Sequence, residues 1–152
     1  MNPLTIYQDA LDIVSRAVLS DDFDSYARMI DLPYLVHTEN ARHLISTVDN
    51  LRPTFAAVRD LLAAQGVTHY ERVARAADYV QRDRIDGWHH THLISHGERV
   101  TCPHVSRHTL VRRAGNWLFS EAQYAIRVDR WPITREMLED QLGLTLRAAD
   151  EA

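Results

Sequence analysis

Nine of the 152 residues are histidine, and seven of the nine lie between His69 and His108. An imidazole changes charge near neutrality and serves as general acid, general base or metal ligand. On an extended strand alternate residues share a face, so His90 and His92 project with Trp88 and Ile94, while His89 projects with Thr91, Leu93 and Ser95. Further on, Cys102, His104, Ser106, His108 and Leu110 share one face, and Pro103, Val105, Arg107, Thr109 and Val111 the other. A two-residue loop at His96-Gly97 would pair His89 with His104; a three-residue loop at Gly97-Glu98-Arg99 would pair His92 with His104. A one-residue slip exchanges the two faces, so the loop decides which histidines look inward.

Three chemistries fit such a cluster. A histidine in a closed apolar pocket suits proton abstraction beside a carbonyl, or dehydration, and the candidates are His92, His104 and His37, in that order. His90-Thr91-His92 with a third histidine from a neighbouring strand would supply three ligands to zinc, iron or copper and leave an open position. The second motif of a cupin is missing, however, and a helical first third contradicts an all-β barrel. Third, histidines on half-exposed strands bond a carbonyl and water and decorate a solvated or dimeric surface. Other candidates for lining a pocket are Tyr7, Tyr34, Trp88, His89, His90, Arg107, His108 and Trp117. Arg107 would clamp a substrate carboxylate if it faces inward. The expected chemistry requires no cofactor and no metal.

The rest of the composition narrows the field. All 17 basic residues are arginine, against 21 acidic ones, for a formal charge of −4. Without lysine there is no Schiff-base chemistry, and an acidic chain lacks the basic surface that nucleic acid requires. Protonation of every histidine would carry the charge to +5. Cys102, the one cysteine, permits no internal disulfide, which points to a reducing compartment; as a buried strand thiol it would be inert. No apolar run approaches a membrane span and the first residues carry no basic start, so the expected location is cytoplasmic, without membrane contact. Phosphate loops, nucleophile elbows and His-Glu-x-x-His are all absent.

The elements that must position these residues follow from periodicity and punctuation. Asn2 and Pro3 open a helix over 3–19 with Tyr7, Leu11, Val14 and Val18 on one face. Ser20 or Asp21 starts a second, with Phe23, Ala27 and Ile30, ended by Leu32-Pro33. Residues 34–38 and 42–46 read as a hairpin. A third helix carries Leu51, Phe55, Val58 and Leu62 and stops at Gly66. Long strands follow at about 69–81, 85–95, 100–113 and 117–128, then a short helix over 134–142 and a polar tail beyond Leu146. Helices followed by a meander imply one α+β domain over 1–152: a strongly curved antiparallel sheet of about six strands, cone-shaped, packed on three N-terminal helices with a short C-terminal helix.

This order resembles the nuclear transport factor 2-like superfamily, which includes SnoaL-like cyclases, ketosteroid isomerase, scytalone dehydratase and the small subunits of ring-hydroxylating dioxygenases. The resemblance covers roughly residues 4–128, with 129–152 as an extension. It rests on Asp21-Asp22-Phe23-Asp24-Ser25-Tyr26, the Leu32-Pro33 exit, the long helix, and Gly115-Asn116-Trp117 before the last strand. It implies a small organic ligand in the cone, a homodimer through the sheet, and either a cofactor-independent isomerase, dehydratase or cyclase or a non-catalytic accessory domain. By layout, Tyr7 and Glu39 match the tyrosine and base of ketosteroid-isomerase-like members, with Arg107-His108 standing where a protonated acid is expected. His37, Asp31 and the strand histidines loosely imitate the scytalone-dehydratase-like set.

Overall fold

Helix α1 (Pro3–Leu19) begins where the carboxamide of Asn2 accepts from the Leu4 amide at 2.8 Å in the computed structural model, which describes residues 2–144. Its buried stripe contains Tyr7, Leu11, Val14 and Val18. The Asp22 carboxylate caps α2 (Phe23–Arg28), accepting from the Ser25 amide at 3.1 Å and the Ser25 hydroxyl at 2.6 Å. That helix is shorter than expected. Ile30 already belongs to strand β1 (Ile30–His37), which runs straight through Leu32-Pro33. Pro33 falls in the register shift between Ile30 and Leu35 of β1, a stretch that does not require its missing N–H.

The expected hairpin forms between β1 and β2 (Arg42–Ile45), with Tyr34 opposite Ile45. A 3-10 turn, Asp49–Leu51, feeds α3 (Arg52–Ala64), which buries Phe55, Leu61 and Leu62. Gly66, at φ +65°, turns the chain out of the helix into β3 (His69–Gln81). Strands β3, β4 (Arg84–Ser95), β6 (His104–Arg113) and β7 (Asn116–Tyr124) meander antiparallel, and the full order is β2-β1-β7-β6-β4-β3. Because β1 joins β7 in parallel, the sheet is mixed rather than wholly antiparallel. It curls without closing, and α1 lies against β3, β4 and β7 on its inner side, with α3 beside α1.

The β4 turn decides which face is which. His96 (φ 50°) and Gly97 (φ 85°) make a two-residue turn of the kind that matches strand twist, pairing Ser95 with Glu98 in the short β5 (Glu98–Arg99). After Val100, whose amide donates to the Leu93 carbonyl, residues 101–103 leave the ladder, so the strand expected from residue 100 begins at His104. The chain returns with His89 opposite Ser106 and Thr91 opposite His104. The detour advances the register by two residues. An even shift keeps the faces that the two-residue turn sets, but neither expected histidine-to-histidine pair forms. At the other end β7 stops at Tyr124, short of residue 128, and Thr134 caps α4 (Arg135–Gln141). The polar tail beyond Leu146 lies outside the described residues. Among those described, no helix is long and apolar enough to cross a membrane.

Candidate functional site

The inner face of the curled sheet presents Tyr70 and Arg72 from β3, His89 and Thr91 from β4, His104 and Ser106 from β6, and Tyr124 from β7. With α3, α4 and residues 101–103 these enclose a cavity of about 330 Å³ whose wall is mainly apolar. An annex of about 80 Å³ shares Tyr70, Arg72 and Tyr124 with it and adds Tyr34, His108 and Phe119. Among the described residues, no Asp or Glu lines either space. The Thr101 hydroxyl donates to the Leu142 carbonyl at 3.3 Å, tying the detour after β5 to the end of α4. Cys102 is exposed on that detour, not buried in a strand.

Hydrogen bonding and burial set the state of each polar group. The Tyr7 hydroxyl lies 2.6 Å from His89 Nδ1. Burial raises the Tyr7 phenol well above its ordinary value, so it keeps its proton within this hydrogen bond. The bond occupies Nδ1 of the imidazole and leaves Nε2 for a ligand. Burial first, and the Arg72 charge second, push His89 down to about 3. His104 is lowered by the same two causes in the same order, against an opposing influence of the Cys102 carbonyl. His108 is driven well below its ordinary value by burial, then by His89 and Arg72. Both of its ring nitrogens are buried without a protein partner. Its ring sits edge-on to Phe119 (centroids 4.8 Å apart), Tyr124 (5.8 Å) and His89 (5.1 Å). Tyr34 and Tyr124 are hydrogen-bonded to each other, and burial raises both phenols.

Arg72 is the residue that sequence reasoning missed. Only 6 % exposed, it donates from Nε to the Ser15 hydroxyl at 2.9 Å and from Nη2 to the Leu11 carbonyl at 3.3 Å. Among the described residues no carboxylate pairs with it. Its signal lay in the alternation of β3, where Tyr70, Arg72 and Ala74 share a face that packs on α1 and is otherwise apolar.

The structure divides the sequence candidates between two sides. His104 and His89 line the cavity, Tyr34 and His108 line the annex, and Tyr7 stands behind His89. His92, His90, Trp88, Arg107 and His37 do not reach it. His92 Nδ1 accepts from Arg99 at 2.7 Å, and the His90 ring stands between Trp88 and His92 on the outer face. His37 lies 3.2 Å from Glu121 in a more polar outer groove that also holds Trp88 and Arg107. Trp117 packs on Tyr79, beyond the cavity wall. Glu39 is exposed, and Asp31 pairs with Arg113 at 3.3 Å. Parity also separates His90 and His92 from His104, and no three His, Cys, Asp or Glu side chains among the described residues converge as metal ligands.

No family profile and no curated protein sequence matches the chain. Solved structures do match in shape. A nuclear transport factor 2-like protein of unknown function from Shewanella oneidensis superposes with a TM-score of 0.61 at 10% identity, covering 82% of this chain and 99% of its own. A domain of unknown function with a cystatin-like fold from Nostoc punctiforme also gives 0.61 at 10% identity, covering 98% and 91%. A candidate ketosteroid isomerase from Shewanella frigidimarina gives 0.59 at 7% identity, covering 79% and 94%. The helices, the hairpin and the curled sheet around an inner cavity thus constitute the nuclear transport factor 2-like, or cystatin-like, fold that the order of elements resembles.

Proposed function

We propose that the cavity binds a small, partly apolar organic molecule and that His104 moves a proton on it without a cofactor. The observation that carries this reading is the cavity's acid–base inventory: neutral histidines and, among the described residues, no carboxylate. A neutral imidazole in an apolar site retains a lone pair at working pH and suits general-base catalysis. His104 lines the cavity from β6. In this reading His89, bonded through Nδ1 to Tyr7, takes the tautomer that offers Nε2–H to an oxygen on which charge develops. Isomerisation, dehydration and cyclisation all begin with such a proton transfer. The carboxylate base of ketosteroid-isomerase-like members has no counterpart among the described residues of this wall, so histidine takes that part in this reading.

The test works with the natural substrate unidentified. A panel of small cyclic and open-chain ketones is incubated with the protein in D2O, and loss of the α-proton signals is followed by NMR. The expected result is faster exchange for at least one ketone and loss of at least 10²-fold of that acceleration in His104→Gln, the scale typical of a general base. Line broadening of a ketone without exchange in wild type would instead identify a non-catalytic binding domain.

A further inference from the structure

The least explained group in the molecule is a guanidinium. An arginine cannot shed its proton, and a buried charge without an opposite charge is costly to keep. Among the described residues Arg72 meets only neutral acceptors, the Ser15 hydroxyl and the Leu11 carbonyl, and these occupy two of its five N–H donors. Tyr70 lies under its plane, with the guanidinium carbon 5.1 Å from the ring centroid. The guanidinium lies where cavity and annex join, because both are lined by Arg72, Tyr70 and Tyr124. In the annex His108 supplies a second unmet group, 5 % exposed and with both nitrogens unpartnered. An uncompensated cation and an unsatisfied imidazole thus flank one small space inside an apolar wall.

We propose that this junction is the head-group site for a monocarboxylate, held by the free N–H donors of Arg72, with the apolar body of the acid in the larger cavity. The charge balance selects the class: one fixed cation among neutral histidines is matched by one negative charge, whereas a dianionic phosphate would leave a surplus buried. Planar carboxylate oxygens also suit the guanidinium fork. The volume, at the small end of the roughly 300–1,000 Å³ range of ligand pockets, selects a small acid. The proposal rests on the cavity's being the ligand site, but not on its being catalytic. It also gives binding a chemical consequence. A carboxylate against Arg72 cancels the field that helps hold His89 and His104 neutral, so the bound acid makes both histidines stronger bases.

Calorimetric titration of the full chain with hexanoate and 3-phenylpropionate, each beside its primary amide, tests the site. Wild type should prefer at least one acid over its amide by roughly 10- to 100-fold, the range of a charge-assisted pair. Arg72→Met should erase the preference, and Arg72→Lys should keep part of it. A second readout uses only wild type: NMR of labelled histidines, in which the bound acid should move at least one cavity histidine's titration toward neutral pH. Equal affinity for acid and amide, no binding of either acid, or a preference that survives Arg72→Met would each overturn the proposal. Ketone exchange is read in a separate experiment, so failure of the head-group site and failure of His104 as a base remain distinguishable.

Discussion

At the scale of single residues, two neighbouring histidines in the same buried layer should answer the same substitution with opposite signs. His89 shares a hydrogen bond of 2.6 Å with the Tyr7 hydroxyl, whereas His108 leaves two ring nitrogens without partners against Phe119 and Tyr124. Removing one partner of a buried hydrogen bond orphans the other, at about 1–3 kcal/mol; removing a group that bonds to nothing relieves a cost of similar origin. His89→Leu is therefore expected to lower the free energy of unfolding by about 1–3 kcal/mol, and His108→Leu to raise it by about 1 kcal/mol, both read from urea midpoints at pH 7.5. A loss in His108→Leu would show that its ring is bonded after all. A gain would fit a residue kept for a ligand rather than for stability, the trade made at many functional sites.

At the scale of elements, α1, which packs mainly on β3, also approaches β4 closely at Gly87. A Cβ at Gly87 would sit 2.7 Å from the Tyr7 ring, so the strand needs glycine there to let the helix close and place the Tyr7 hydroxyl on His89. Gly87→Ala should cost about 1–3 kcal/mol as overpacking, and a Tyr7→Ala background should remove the part due to the ring while leaving the contact with the Ala76 carbonyl at 3.0 Å, which a double-mutant cycle measures directly. Equal costs in both backgrounds would place the strain elsewhere. Such helix-to-strand approaches are invisible in one sequence, and so were several other features of the site. The helix over 3–19, the stop at Gly66 and the strand over 69–81 were legible because caps, apolar period and glycine all act within a few residues of each other. The inward side of β4 and β6 was not, since it turned on a loop length and on the detour at residues 101–103. Arg107, the arginine expected to clamp a carboxylate if it faced inward, points outward, and Arg72, which does line the cavity, was discernible only once β3 had been laid against α1. The shortened α2 has the same origin, because pairing of Ile30 with Phe119 is a contact across some ninety residues that no local pattern announces.

At the scale of the whole molecule, the histidine count becomes a statement about acid. Unfolded, His89, His104 and His108 would protonate near their ordinary 6.5; folded, all three are held lower, His89 to about 3. Between those limits the unfolded chain binds more protons than the folded one, so stability is whole above about pH 6.5 and falls as pH drops toward the folded values. Each such group contributes a slope of up to about 1.4 kcal/mol per pH unit. Urea midpoints should therefore decline between pH 7.5 and 5.0, before the ordinary carboxylate range is reached, and the decline should be shallower in His108→Leu, which has one such group fewer. Arg72 sharpens the expectation, because its charge is among the causes of all three depressions, second to burial at His89 and His104 and third at His108. Taking that charge away lets the three folded values rise toward 6.5 and narrows the difference in bound protons. Arg72→Met should accordingly lose less stability than wild type between pH 7.5 and 5.0, whatever its stability at neutrality. An acid limb of unchanged steepness in Arg72→Met would mean that burial alone holds these imidazoles neutral and that the guanidinium does not act on them across the cavity.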